Sequence, residues 1–162
     1  MNFFLGIDFG TSGARAIAID PQGTIQAQAQ YPFNLSTSKD LPIIWQGALF
    51  ALIEQIPSQF RQEIRAITIN GTSSTVLLCD GQGNPVDAPI LYNDGRGIGL
   101  KKSLTAIAPP NHLVLSATSS LAKLLWWYLQ PVYSQASYFL HQADWLAFLS
   151  SSRKKTPVSG GG

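Results

Sequence analysis

The stretch Asp8-Phe9-Gly10-Thr11-Ser12-Gly13 puts a carboxylate, two glycines and two hydroxyls into one turn between apolar segments. Glycines let a backbone turn sharply, and successive N–H groups exposed in such a turn form an anion-binding concavity. Thr11 and Ser12 add hydroxyl donors between Gly10 and Gly13. Asp8, at the end of an apolar run, suits magnesium held directly or through water, because Mg²⁺ prefers oxygen ligands and keeps several waters. The chemistry this pattern points to is the holding of a phosphate and its metal. An ordinary hairpin turn is the other reading of the same residues. No G-x-x-x-x-G-K-[ST] stretch occurs, so the turn is not a Walker A loop. Gly95-Arg96-Gly97-Ile98-Gly99 has the wrong spacing for a dinucleotide-binding fingerprint and no long strand before it.

The turn has to be held by regular elements. Residues 3–7 are apolar and bulky, as in a strand buried on both faces. Strands are expected over 15–20 and 24–33, joined by the turn Asp20-Pro21-Gln22-Gly23. Apolar residues at helical spacing predict a helix over 43–56, stopped by Pro57. Further strands are expected at 64–69, 75–79 and 134–140, and helices near 97–107, 119–129 and 143–149. Periodicity supports a mixed α/β class. An antiparallel meander of three strands, followed by helices alternating with strands, describes the ribonuclease-H-like sheet of the actin-like ATPases.

Bulk properties narrow the function. Of 162 residues, 45% are hydrophobic and 12% charged, which fits a folded chain and excludes global disorder. A net charge of +2 is too small to suggest a nucleic-acid partner. Cys79 is the only cysteine, so no intrachain disulfide and no CxxC zinc site can form, and a reducing, cytoplasmic setting is expected. The N-terminus has no basic region and its apolar run is cut at Asp8, unlike a signal peptide. No apolar run approaches the ~20 residues of a membrane span. His112 and His141 lack metal-ligand spacing and read as structural. Arg15 could reach a phosphate or face outward. Trp126 and Trp127 suit a helix packed on a sheet or on a further domain.

Leu5-Gly6-Ile7-Asp8-Phe9-Gly10-Thr11-Ser12-Gly13-Ala14-Arg15 resembles the opening of the FGGY family of carbohydrate kinases. Four later segments are similar in order and spacing: residues 67–75, Leu91-Tyr92-Asn93-Asp94-Gly95-Arg96, residues 118–124, and Gln142-Ala143-Asp144-Trp145-Leu146. The resemblance covers about residues 3–150 and is strongest to plant and cyanobacterial xylulose or ribulose kinases.

The resemblance implies a ribonuclease-H-like, actin-like ATPase fold with a mixed sheet and flanking helices, here incomplete. It implies ATP and Mg²⁺ as cofactors and a pentulose as substrate. Asp8, Gly10, Thr11, Ser12 and Gly13 would face the phosphate and magnesium, with Asp8 the metal carboxylate. Ser73, Ser74, Asp94 and Arg96 would meet or shape the sugar pocket. Asp144 reads as a helix N-terminal carboxylate. The family's catalytic Asp and second nucleotide-binding domain have no counterpart in the chain. It is therefore expected to act as a partial N-terminal domain over residues 1–149 with a disordered tail over 150–162, inactive alone. The alternatives are a half-protein completed in trans by a second chain, or a sugar- or nucleotide-binding module without catalysis.

Overall fold

The computed structural model describes residues 2–33 and 40–152. In chain order the elements are β1 (Phe3–Phe9), β2 (Gly13–Ile19), β3 (Ile25–Pro32), α1 (Leu41–Gln55), α2 (Ser58–Arg61), β4 (Ile64–Asn70), β5 (Val76–Cys79), α3 (Lys101–Thr105), α4 (Ser120–Tyr128), β6 (Tyr138–His141) and α5 (Gln142–Ser152). Short 3₁₀ turns at Arg96–Leu100, Leu113–Leu115 and Pro131–Gln135 connect the later ones. The mixed α/β class is what the chain adopts. The main sheet has the order β3-β2-β1-β4, antiparallel within the expected meander and parallel between β1 and β4.

One face of this sheet makes the core. Along β1 the side chains alternate, with Phe3, Leu5, Ile7 and Phe9 buried and Phe4 38% exposed. The expectation that this strand is buried on both faces is corrected: no helix among the described residues covers its second face. On the inner face β2 presents only Ala14, Ala16 and Ala18, all buried. Their small side chains let α1 approach closely, and its Trp45, Leu49, Leu52 and the following Ile56 fill the space. Each such apolar side chain contributes roughly 1.5–3 kcal/mol on burial. Pro42 lies in the first turn of α1, where a missing N–H is harmless.

β5 does not join the main sheet. It pairs antiparallel with β6, and Val76, Leu78, Ile90 and Trp127 form a second small core. Three other expectations need adjustment. The helix expected over 97–107 is split into a 3₁₀ turn and the short α3, because Gly97 and Gly99 weaken helix there. The strand expected over 134–140 shrinks to β6, since Pro131 initiates a 3₁₀ turn before it. The last helix continues through Ser152, so the start of the expected tail is helical, while residues 153–162 lie outside the described part. Asp144 sits in the first turn of α5, as its reading required. No helix among the described residues is long and apolar enough to cross a membrane.

Cys79 closes β5 and is fully buried, and burial together with the neighbouring Asp80 charge pushes its thiol up to about 11. An aromatic disulfide reagent at pH 8 is expected to leave the native chain unmodified and to label one thiol after unfolding, because the thiolate is the reactive form. Rapid labelling of the folded chain would show that β5 is not held as described.

Candidate functional site

Strand parity places the chemistry. Phe9 points into the core and stacks near Phe33 at 6.2 Å between ring centroids, which anchors the turn that follows. Asp8, one residue earlier, therefore lies on the uncovered face. The turn is closed by Gly10 N–H donating to Gly13 O at 2.9 Å, and tied to the chain after β3 by Phe33 N–H donating to Ser12 O at 3.0 Å. Thr11 and Ser12 are exposed. Gly13 has no room for a side chain, because an added Cβ would lie 2.8 Å from Tyr31 O and 3.2 Å from Pro32 Cα.

The parallel pairing of β1 with β4 sets Asn70 opposite Asp8, and Asn70 Nδ2 donates to Asp8 Oδ1 at 2.9 Å. The second carboxylate oxygen lies 3.8 Å from Arg15 Nε, a loose pair with side chains 46% and 70% exposed for Asp8 and Arg15. That pair is worth little to stability at such exposure. Arg15 thus faces outward beside the turn.

Parallel strands also deliver their C-terminal ends to the same side of a sheet, the side where ligands bind in open α/β folds. The loop after β4 therefore comes up beside the turn. Thr72 Oγ1 donates to Phe9 O at 3.4 Å, and Thr72 N–H donates to Gln142 Oε1 at 2.9 Å. Gln142 N–H in turn donates to Thr75 O at 3.0 Å, which locks the start of α5 against this loop. Gly71 permits that approach, since a Cβ there would stand 3.0 Å from both Ala143 N and Gln142 Oε1. The loop after β5 closes the other side, with Tyr92 N–H donating to Thr75 Oγ1 at 3.1 Å.

Between these pieces lies a cleft of about 230 Å³. Gly10 and Thr11 form one wall, Thr72 and Thr75 a second, and Leu91, Tyr92 and Asn93 a third, with Leu41, Trp45 and Gln142 completing it. No Asp or Glu belongs to this lining. Among the described residues, no group of three or more His, Cys, Asp or Glu side chains gathers as a metal site.

The structure sorts the residues expected from sequence. Gly10 and Thr11 border the cleft, while Asp8 opens into a separate groove on the uncovered sheet face with Arg15, Thr68 and Asn70. Ser12 and Gly13 border a third groove beside Tyr31. Ser73 and Ser74 are on the loop between the lining residues Thr72 and Thr75, outside the cleft wall itself. Ser74 has a left-handed φ of 59°, and its carbonyl is turned toward Lys123. Asp94 and Arg96 are consumed by each other: Nε donates to Oδ1 at 3.0 Å and Nη2 to Oδ2 at 2.6 Å. Arg96 hydrogen bonding holds the Asp94 carboxyl below its usual range, and the guanidinium is correspondingly raised. Arg96 also stacks on Trp126, 4.5 Å from the ring centroid. The pair shapes the loop rather than lining the cleft.

Residues that sequence reasoning did not single out are Thr72, Thr75, Tyr92, Asn93 and Trp45. The signal open to sequence reasoning was Tyr92-Asn93, an aromatic and an amide directly after the apolar Ile90-Leu91; in the structure Tyr92 is 45% exposed while Ile90 is buried. His112 caps the 3₁₀ turn after it, its Nδ1 accepting from Val114 N–H at 3.1 Å, a structural task as expected.

A family model described as "FGGY family of carbohydrate kinases, N-terminal domain" matches residues 3–159. A glycerol kinase from Gloeobacter violaceus is 30% identical over 135 residues, covering 75% of this chain and 27% of that protein. A xyloylose kinase from Brucella ovis superposes with a TM-score of 0.74 at 22% identity, over 91% of this chain and 34% of that one. A Plasmodium falciparum glycerol kinase crystallised with ADP superposes at 0.69 and 20% identity, over 91% and 34%. The chain thus spans about a quarter to a third of the length of the proteins it matches.

Proposed function

Because the chain belongs to the FGGY family of carbohydrate kinases, we propose that it forms the sugar- and phosphate-facing part of an ATP-dependent kinase acting on a pentulose such as D-ribulose or D-xylulose. The observation that carries this reading is that Gly10 and Thr11 belong both to the phosphate turn and to the wall of the cleft. A sugar in the cleft would therefore present a hydroxyl next to a bound phosphate. At about 230 Å³ the cleft is below the ~300–1,000 Å³ of sites for drug-sized ligands, so it suits a compact polyol and not a nucleotide. Its threonine hydroxyls, the Asn93 amide and the Tyr92 ring are the groups that hydrogen-bond and stack on such a molecule.

Phosphoryl transfer depends on in-line positioning, charge neutralisation and a carboxylate that takes the hydroxyl proton. The residues of this chain bind and orient. The turn N–H groups with Thr11 and Ser12 hold the transferred phosphate, and the cleft walls hold the sugar. Asp8 is the carboxylate we assign to magnesium held through water: one of its oxygens accepts from Asn70 Nδ2, and the other is only loosely paired with Arg15, so its side chain remains open to solvent. The metal would neutralise phosphate charge. With no carboxylate among the described residues of the cleft lining, the proton acceptor is assigned to a group other than these lining residues. The buried single Cys79 fits a reducing cytoplasm.

Titration calorimetry of the pure chain with D-xylulose and D-ribulose tests this reading, alongside a coupled assay with Mg-ATP. Pentulose binding without turnover is the expected result. Failure to bind any polyol would overturn the sugar reading, and robust turnover would overturn the expectation that this chain is inactive alone. Turnover appearing only on addition of a second polypeptide would favour completion in trans, which the uncovered sheet face with exposed Phe4 allows.

A further inference from the structure

We propose that Lys123 is a positioning residue for the cleft, its buried ammonium fixing the loop after β4 and the loop after β5 in one relative placement by donating to a main-chain carbonyl of each. Lys123 Nζ lies 2.6 Å from Ser74 O and 2.8 Å from Leu91 O, and the residue has no exposed surface. The two loops it joins carry two of the cleft's walls, Thr72 and Thr75 on one and Leu91, Tyr92 and Asn93 on the other.

The helix that carries the lysine is itself held. Ser119 caps α4, accepting from Ala122 N–H at 3.2 Å and donating to Val114 O at 2.7 Å. One turn past Lys123, Trp127 is buried in the second core and donates through Nε1 to Asp87 Oδ2 at 2.9 Å. The ammonium is therefore a fixed point against which both loops are set.

The chemistry argues against space-filling. Burying an ammonium is costly, and burial depresses the pKa of Lys123. An apolar side chain of similar length would fill the same volume without that cost. Asp94, whose charge acts on Lys123, is taken up by Arg96, and the donors of Lys123 go to two carbonyls. Charge-assisted bonds of this kind are shorter and stronger than neutral ones. Ser74, at φ 59°, is held in a conformation that serine seldom adopts, and that conformation directs its carbonyl to the ammonium.

The assignment of the cleft to a sugar rests on the function proposed above, whereas the tying of the loops does not. The test is Lys123→Met in the whole 162-residue chain, read by amide hydrogen exchange and by pentulose titration. The amide of Tyr92, which donates to Thr75 Oγ1 across the two loops, is expected to exchange at least about tenfold faster, with Ile7 and Ala16 of the main sheet unchanged. Pentulose affinity is expected to fall at least about tenfold in parallel. Tyr92 exchange within about twofold of the parent overturns the proposal. A parent chain that binds no pentulose overturns the sugar reading, and the exchange result then decides the clamp by itself. If the Met variant does not fold, Nζ-detected NMR of the parent decides. A persistent Lys123 ammonium signal with couplings to the Ser74 and Leu91 carbonyl carbons supports the clamp. A signal exchanging as fast as that of exposed Lys101 overturns it.

Discussion

Trp127→Ala is expected to destabilise the chain by about 3–5 kcal/mol, the range for removing a fully buried large aromatic. The side chain has no exposed surface and meets Phe139 edge-on at 6.1 Å between centroids. It packs in the second core with Val76, Leu78 and Ile90. These come from β5 and the loop after it, so the cavity opens where β5, β6 and α4 meet. Loss of the indole N–H also takes a donor from Asp87, which keeps its bond from Ala88 N–H at 2.8 Å. For a chain of this size the loss corresponds to a fall in melting temperature of roughly 6–20 °C. Thermal unfolding followed by far-UV circular dichroism measures it. A loss below about 1 kcal/mol would mean that the small core contributes little to the fold. Because α4 also carries Lys123 and the Trp126 platform under Arg96, pentulose binding is expected to weaken along with stability.

Gly13→Ala is expected to cost about 1–3 kcal/mol and, if the turn holds phosphate as proposed, to abolish that binding. The new methyl would meet backbone atoms of Tyr31 and Pro32 at 2.8 and 3.2 Å, and backbone cannot swing aside as a side-chain tip can. Relief requires β2 and β3 to part at the end where Gly13 O accepts from Gly10 N–H, so the turn itself loses its closure. Gly10→Ala is the matched control. Its Cβ would meet only Gly13 O, at an ordinary 3.5 Å, and is expected to leave stability nearly unchanged. Urea unfolding of both variants, with Mg-ATP titration, separates the two positions. Equal stability of the two variants would show that the strands tolerate parting, contrary to the packing described.

Much of this was written locally. The expectation of a glycine-bounded turn between two apolar strands came from residues close in sequence, and so did the meander, α1 and α4. Turn chemistry and side-chain period are short-range properties, and short-range properties are readable from a single chain. What could not be read was pairing. The apolar run of β1 looks the same whether one face or both are covered, and only the placement of α1 decides that Phe3, Leu5, Ile7 and Phe9 are the inner set. β5 is as apolar as a main-sheet strand, yet it pairs with β6, more than fifty residues away in sequence.

The cleft shows the same division. Asp94 and Arg96 carry the charges that sequence reasoning expects at a ligand, but a two-residue separation lets them satisfy each other, and Trp126 completes the arrangement from a distant helix. Tyr92 and Thr75, less conspicuous as letters, become walls because one loop bonds the other. By itself the sequence determined the kind of chemistry, through residue types in the turn Asp8 to Gly13 and the segments that share its family. Tertiary structure decided which side chains face the cleft and which support it. That choice depends on the parallel register of β1 with β4, on the buried donors of Lys123 and Trp127, and on the Gln142 side-chain oxygen that accepts from Thr72 N–H; their partners lie dozens of residues away and are brought within hydrogen-bond reach only when the chain folds.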